Sequence, residues 1–146
     1  IVSQRLLPVA ARAYKSAAQA GISAGVWVKC NLDAEDKDTN NNYDPVTNFR
    51  FTCTVPGRYL VSAALGAVHT AGYRWIGAIY KNGAAVARVA DTTRATSGNL
   101  TAGGATVLDL VENDYVEAWI FSDVAVDVNL GSAITFMHVE RLLGNE

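Results

Sequence analysis

The sequence lacks the composition features that mark nucleic-acid-binding and membrane-spanning proteins. Its 12 Lys and Arg residues are outnumbered by 14 Asp and Glu residues, which gives a formal net charge of -2, and the basic residues are scattered. Because binding to a phosphate backbone needs a basic patch, we expect no nucleic-acid partner. No apolar run approaches the roughly 20 residues of a membrane-spanning helix, so we expect no membrane insertion.

Cysteine and histidine are also scarce, with two of each in the chain. Cys30 and Cys53 both fall on the predicted inward phase of strands, where a reduced thiol acts as a small core hydrophobe. A disulfide between them is the alternative, and it would need α-carbons within about 7 Å. No companion histidine has zinc-ligand spacing, and His69 and His138 are isolated from catalytic partners.

Charged residues are few as well, and this bears on the size and assembly of the protein. A chain of 146 residues fits a single domain over 1–146 that needs no metal or disulfide to fold, with 1–7 as an N-terminal linker or arm. Half of the residues are hydrophobic and only 18% are charged, which favours some surface being buried in an oligomer. The chain begins with Ile, so we expect it to be a processed or excised piece of a longer protein.

Period-two alternation of apolar and polar residues is the main structural signal in the sequence. Residues 49–55 alternate in this way, and Pro56 and Gly57 then stop the strand and turn the chain. Asn82 and Gly83 form a strong hairpin signal. The pattern predicts about eight to ten short strands and no amphipathic helix, which is typical of an all-β sandwich or jelly roll. The further predicted strands are 26–32, 58–68, 73–81, 85–91, 105–111, 115–122 and 134–139, with 123–131 as an extension of the strand before it.

Three segments do not follow the strand pattern. The alanine-rich segment 9–19 is compatible with either a helix or a strand. The segments 33–44 and 92–104 are polar, without apolar periodicity, and are predicted to be exposed loops.

The acidic loop 33–44 contains the beginning of a calcium-binding motif. Asp36, Asp38 and Asn40 have the spacing of the first three ligands of a calcium loop. The glycine and glutamate that complete such a loop are replaced by Asn41 and Thr47. A solvated loop is therefore favoured, with calcium as the alternative and no other cofactor expected.

One string in the sequence matches a hydrolase motif. Residues 21–25 read G-x-S-x-G, and Asp109 and His138 follow in the order found in hydrolases. A nucleophile elbow requires a helix after the turn, whereas a strand is predicted here. The string is therefore interpreted as a glycine-rich connection, and no catalytic residue is predicted.

The three tryptophans are the largest side chains on the predicted strands. Trp27, Trp75 and Trp119 have apolar neighbours, some of them on the opposite strand face. A place in the core or in a subunit interface is favoured, and stacking against a sugar ring is the alternative.

Several short motifs, found in order along nearly the whole chain, resemble the C1q-like globular head domain of the C1q and tumour necrosis factor superfamily. Each motif is weak alone, but together they are specific. They are Tyr43-Asp44-Pro45-Val46-Thr47, Phe51-Thr52-Cys53, Pro56-Gly57-Arg58-Tyr59, Lys81-Asn82-Gly83, Leu108 to Val116, and Thr135-Phe136.

The resemblance implies a ten-strand jelly roll that assembles into a homotrimer without enzyme activity. It also implies that segment 9–19 is a strand. Strands carrying Tyr59, Val107 and Phe136 are expected to pack around the threefold axis, with the loops 33–44 and 92–104 facing a receptor.

The closing segment, Phe136 to Leu142, differs from that of animal heads and is more similar to C1q-like domains of bacterial collagen-like proteins and bacteriophage fibres. We therefore expect a structural and receptor-binding head of a bacteriophage fibre, located in the virion. Its expected partners are two further copies of itself, other virion proteins, and a host cell-surface glycan or protein. The alternative is a secreted or cell-surface C1q/tumour necrosis factor-like ligand for recognition or signalling.

Overall fold

The computed structural model describes residues 8–19, 21–69, 71–93 and 95–143, without the side chain of His69. The predicted arm 1–7 therefore lies outside the described residues. Within the described part, all regular structure is β, and no helix capable of crossing a membrane occurs. The strands are β1 (Ala10–Tyr14), β2 (Trp27–Lys29), β3 (Ala34–Asp38), β4 (Tyr43–Asp44), β5 (Arg50–Thr52), β6 (Gly57–His69), β7 (Arg74–Lys81), β8 (Ala84–Thr93), β9 (Gly98–Leu110), β10 (Tyr115–Ser122) and β11 (Phe136–Arg141).

The strands form two antiparallel sheets that pack as a jelly-roll sandwich, which confirms the predicted fold class. Sheet I has the order β3-β1-β11-β6-β9, and sheet II has the order β4-β5-β10-β7-β8, with β2 also paired to β10. Strand β1 pairs with both β11 and β3. The ambiguous segment 9–19 therefore contains a strand, because partners on both sides outweigh the helical preference of its alanines.

The core lies between the sheets and is built from alternate residues of the strands. Phe51, Tyr59 and Trp75 are fully buried there, and the Tyr59 hydroxyl donates a hydrogen bond of 2.6 Å to the Val55 carbonyl. This bond ties the turn at Pro56 to the core beneath it. Complete burial of a side chain such as Phe51 stabilises the fold by about 1.5–3 kcal/mol.

The hairpin between β7 and β8 turns at the predicted place. Asn82 and Gly83 have φ angles of 51° and 82°. Both values lie in the left-handed region that a type I′ turn requires, and asparagine and glycine adopt it at the lowest cost.

The prediction that 33–44 and 92–104 are loops is wrong for much of both segments. Residues 34–38 form the edge strand β3, and residues 98–104 belong to β9, which pairs with β6 from Gly57↔Leu110 to His69↔Gly98. Polar and glycine-rich composition lowers strand preference only weakly, and long-range pairing overrides it.

The predicted extension of β10 through 123–131 is also wrong. This segment makes two isolated bridges, Ile22↔Val126 and Ala67↔Val128, instead of a continuous ladder. Val126 and Val128 are buried, so the alternation reflects packing against the core and not a strand.

Candidate functional site

The outward side of sheet I, which we call the outer face, carries apolar side chains where a solvated sheet would carry polar ones. Val107 is opposite Leu60, and Phe136 is opposite Ala64, so each pair shares this face. Val107 is 49% exposed, and the other three side chains are partly exposed. A row of apolar groups across neighbouring strands is typical of a surface that is covered in an assembly.

Polar and charged groups lie among these apolar side chains, because His138 is opposite Ser62 and Glu140 is opposite Leu60 on the same face. The Arg12 guanidinium lies 4.4 Å from the centre of the Phe136 ring and forms an ion pair with Asp36 at 2.5 Å. On β11, His138 and Glu140 are in contact at 3.1 Å. The Phe136 ring is therefore covered on one side by a cation that is itself paired.

The assignment of Tyr59 to the trimer interface needs correction. Tyr59 is 0% exposed and contacts the Phe51 ring between the sheets, with a centroid distance of 5.8 Å. Successive residues of a strand point to opposite faces, so Leu60 takes the outward position instead. The other two predicted interface residues, Val107 and Phe136, do lie on the outer face.

Strand β9 forms one of the two edges of sheet I, opposite the short edge strand β3, and it is unusually long. It spans 13 residues, and Asp109 is its only charged residue. Monomeric proteins protect such edges with lysine, proline or short strands, and none of these devices is present in β9. This edge, next to the apolar outer face, is a second sign of association with another chain.

The three calcium candidates are engaged in structural contacts. Asp36 pairs with Arg12, while Asp38 accepts hydrogen bonds from the backbone of Asn42 and Tyr43 at 2.9 and 2.8 Å. The Asn40 side-chain oxygen accepts a hydrogen bond from Thr39 at 2.9 Å. No group of three or more His, Cys, Asp or Glu with metal-binding geometry occurs among the described residues.

A polar cleft of about 440 Å³, open to solvent, lies at the β4 edge of sheet II. We call it the asparagine cleft. Asp44 builds its wall, because its carboxylate accepts hydrogen bonds from the backbone of Val46, Thr47 and Asn48 at 2.9–3.0 Å. The cleft is lined by Asn41, Asn42, Tyr43, Asp44, Pro45, Asn48, Thr52 and Thr54.

Acidification is expected to loosen this wall only at very low pH. Backbone donation from Thr47, and next from Val46, lowers the pKa of Asp44 from 3.8 to about 2. Because the folded-state pKa is the lower one, the carboxylate contributes stability that is fully present above about pH 4 and is lost as the pH falls through about 2. We expect the backbone amide signals of 46–48 to titrate in an NMR series with a midpoint near pH 2.

Asp114 requires a separate control in the same experiment, because its pKa is also lowered to about 2, mainly by a hydrogen bond from the Asn82 amide. The variant Asp44→Asn should abolish the titration at 46–48, and Asp114→Asn should not. A midpoint near 3.8 in the unmodified protein would contradict the assigned hydrogen bonds.

Both cysteines are free thiols, so the disulfide alternative is wrong. Cys30 and Cys53 are fully buried. Burial raises the pKa of Cys30 to about 12 and also raises the pKa of Cys53. Each is protonated near neutral pH and acts as a small core residue.

The residues of the G-x-S-x-G string are separated from its proposed partners. The string lies in the connection between β1 and β2. Asp109 contacts Arg58 at 3.3 Å, and His138 contacts Glu140. Each partner is engaged with a neighbour on sheet I.

An aromatic cluster on the outward side of sheet II was not predicted from the sequence. Tyr80 and Trp119 stack with ring centres 4.6 Å apart, and Trp27 contacts Tyr80 at 5.7 Å. Glu117 accepts hydrogen bonds from Lys29 and from the Trp119 indole at 2.8 and 3.2 Å. Within the sequence, the only indication of this cluster is that Glu117 and Trp119 have the same phase in β10. The side chains that complete it come from β2 and β7, whose pairing with β10 the sequence does not reveal.

Comparison with known proteins identifies a family by sequence and several relatives by structure. The family model described as C1q domain matches residues 23–136. No curated protein sequence matches the chain. The globular domain of zebrafish complement 1qA is 15% identical with a TM-score of 0.67, covering 94% of this chain and 99% of that one.

Two further solved structures have the same fold. Murine APRIL is 11% identical with a TM-score of 0.71, covering 93% of this chain and 100% of that one. Eiger TNF from S. frugiperda is 10% identical with a TM-score of 0.68, covering 95% of each chain. At these identities the similarity shows a shared fold.

Proposed function

The chain belongs to the C1q domain family, and from this membership we propose that it is a non-enzymatic, homotrimeric recognition head at the end of a bacteriophage fibre or a similar surface appendage. The observation that carries the trimer is the apolar outer face of sheet I. Leu60 and Val107 form one directly opposed apolar pair on it, and Ala64 and Phe136 form a second, with Ser62 and His138 between the two pairs. Packing three such faces together removes these groups from water, which stabilises the assembly by about 25 cal/mol per Å² of buried apolar area.

The free edge of β9 supports the same assembly. In a closed threefold arrangement, each copy uses one surface patch to contact a different patch on the next copy. The β9 edge of one protomer and the outer face of its neighbour would form such a pair. The ring closes after three contacts and leaves no long edge open to further association.

The proposed fibre setting rests on the closing segment, where Phe136 to Leu142 resembles bacteriophage and bacterial domains more than animal ones. A trimeric head gains avidity, because three copies of one site act together without any new contact. A host cell-surface glycan or protein is its proposed target, and other virion proteins would hold the fibre.

A secreted recognition or signalling ligand is the second candidate. The shared fold with a complement protein and with an insect TNF favours it. The two settings differ in what surrounds the coding sequence: capsid and tail genes beside it would support the fibre, whereas a signal peptide followed by a collagen repeat would support secretion.

Sedimentation equilibrium tests the trimer directly. The protein is expected to sediment as one species with three times the protomer mass of 15.5 kDa. The mass should stay constant on dilution through the micromolar range. A species with the mass of a single protomer at all concentrations would overturn the proposal.

A further inference from the structure

The asparagine cleft has the size and position of a ligand site. Its volume of about 440 Å³ lies within the range of about 300–1,000 Å³ that small-molecule sites occupy. It is formed by the β4 edge of sheet II and the segments that flank β4 and β5. The assembly proposed above uses the outer face of sheet I, so the two surfaces lie on different sheets.

The wall of the cleft presents no unengaged charge. Asp44 is its only charged residue, and both carboxylate oxygens are occupied by donors from 46–48, including the Asn48 side-chain amide at 3.0 Å. The wall has no cationic side chain that could bind an anionic ligand. It also has no available carboxylate that could bind a cationic ligand. A neutral ligand is the chemical match.

One wall residue contains a buried polar group without a partner. Asn42 is only 6% exposed, and its side-chain oxygen accepts a hydrogen bond of 3.0 Å from Thr54. Its amide nitrogen is buried and makes no hydrogen bond among the described residues. An unpaired buried donor destabilises the protein, and a hydrogen bond to a ligand oxygen would remove that cost. A ligand oxygen reaches this nitrogen only if the amide, whose terminal torsion is soft, rotates and gives up the hydrogen bond from Thr54.

Other donors and acceptors on the same wall are also available. Within the described part of the chain, the hydroxyl of Thr52, the side-chain amide of Asn41 and the side-chain oxygen of Asn48 make no hydrogen bond. Together with the Asn42 amide they offer donors and acceptors in similar number. An amide places a donor and an acceptor side by side, which matches two neighbouring hydroxyl groups of a sugar ring.

We propose that the asparagine cleft binds a neutral saccharide unit through Asn41, Asn42, Asn48 and Thr52. The proposal names a ligand class for the recognition function and rests on that function. A charged peptide is a poorer match, because Asp44 is the only charged residue of this wall and its carboxylate is already engaged. The neighbouring hydroxyl groups of a saccharide match the side-chain amides and the Thr52 hydroxyl of the cleft.

NMR titration of the ¹⁵N-labelled full chain tests the proposal with four probes: the methyl glycosides of glucose, galactose, mannose and N-acetylglucosamine. At least one probe is expected to shift the side-chain amide signals of Asn42 and Asn48 and the backbone signal of Thr52 in a saturable manner. The variant Thr52→Val keeps the side-chain volume but loses the hydroxyl. It should weaken that binding about tenfold, the equivalent of one hydrogen bond of about 1.4 kcal/mol.

Thr93→Val is the matched control, because Thr93 is an exposed strand residue on β8 outside the cleft. It should leave the affinity unchanged. The proposal is overturned if none of the four probes moves the cleft signals, or if Thr93→Val weakens binding as much as Thr52→Val. Sedimentation of the same sample distinguishes the two proposals. If the protein is a trimer and no probe shifts the cleft signals, only the saccharide site is contradicted. If the protein is a monomer and a probe binds, only the trimeric head is contradicted.

Discussion

Replacing Val107 with arginine is expected to dissociate the homotrimer into folded protomers. Val107 is 49% exposed and lies opposite Leu60 on the outer face, so the new side chain does not disturb the core. In the assembly, its charge would be removed from water, and the nearby carboxylates Asp109 and Glu140 are already engaged with Arg58 and His138, so we expect a cost of several kcal/mol in each of three copies. We expect the dissociation constant to rise more than about a hundredfold, measured by sedimentation across a dilution series.

The matched control for this substitution is Val46→Arg. Val46 is 78% exposed in the segment that follows β4, at the edge of sheet II. The same change of charge and volume there should leave the trimer mass and the circular dichroism spectrum unchanged. A Val107→Arg protein that remains trimeric, or a Val46→Arg protein that dissociates equally, would place the interface elsewhere.

The fold was predictable from the sequence where local signals and packing agree. The alternation of residues 49–55, the stop at Pro56 and the turn at Asn82 each depend on a few neighbouring residues. The motif resemblance then led to the family that the C1q domain match shows over 23–136. The resemblance also implied a strand within 9–19, whereas the alanine-rich composition of that segment did not distinguish a strand from a helix.

The errors occurred where a distant partner decides the structure. Residues 34–38 and 98–104 look like loops locally, and only pairing with β1 and β6 makes them strands. The resemblance implies an interface position for Tyr59, whereas Tyr59 alternates in phase with Val61 and Leu65, which are buried in the core. The burial of Tyr59 beside Phe51 resolves that choice.

The asparagine cleft could be located from the sequence only as a polar segment. Its asparagines and Asp44 are typical turn residues, and that is the role Asp44 has. The buried nitrogen of Asn42 depends on how the residues of β4 and β5 fold over it. Side-chain burial of this kind has no signature in a single sequence.

The pairing of β6 with β9 brings two backbones unusually close at Gly103. A β-carbon at this position would lie 2.2 Å from the Ala63 carbonyl oxygen and 2.8 Å from the Ala64 α-carbon. These are main-chain atoms, so no side-chain rotation can relieve the contact. The two strands would have to separate, and this would weaken the packing of Leu65, which is fully buried beneath them.

Gly103→Ala is therefore expected to lower the free energy of unfolding by about 3 kcal/mol or more, a large fraction of the stability of a typical domain. Gly21→Ala is the matched control, since nothing lies within 4 Å of a β-carbon added there, and its effect should stay within about 0.5 kcal/mol. Urea unfolding measures both variants at one protomer concentration, with sedimentation used to confirm the same oligomeric state, because association changes apparent stability. If the two alanine variants unfolded at the same urea concentration, the close approach of β6 and β9 would be excluded, since a methyl group cannot occupy that space without separating the strands.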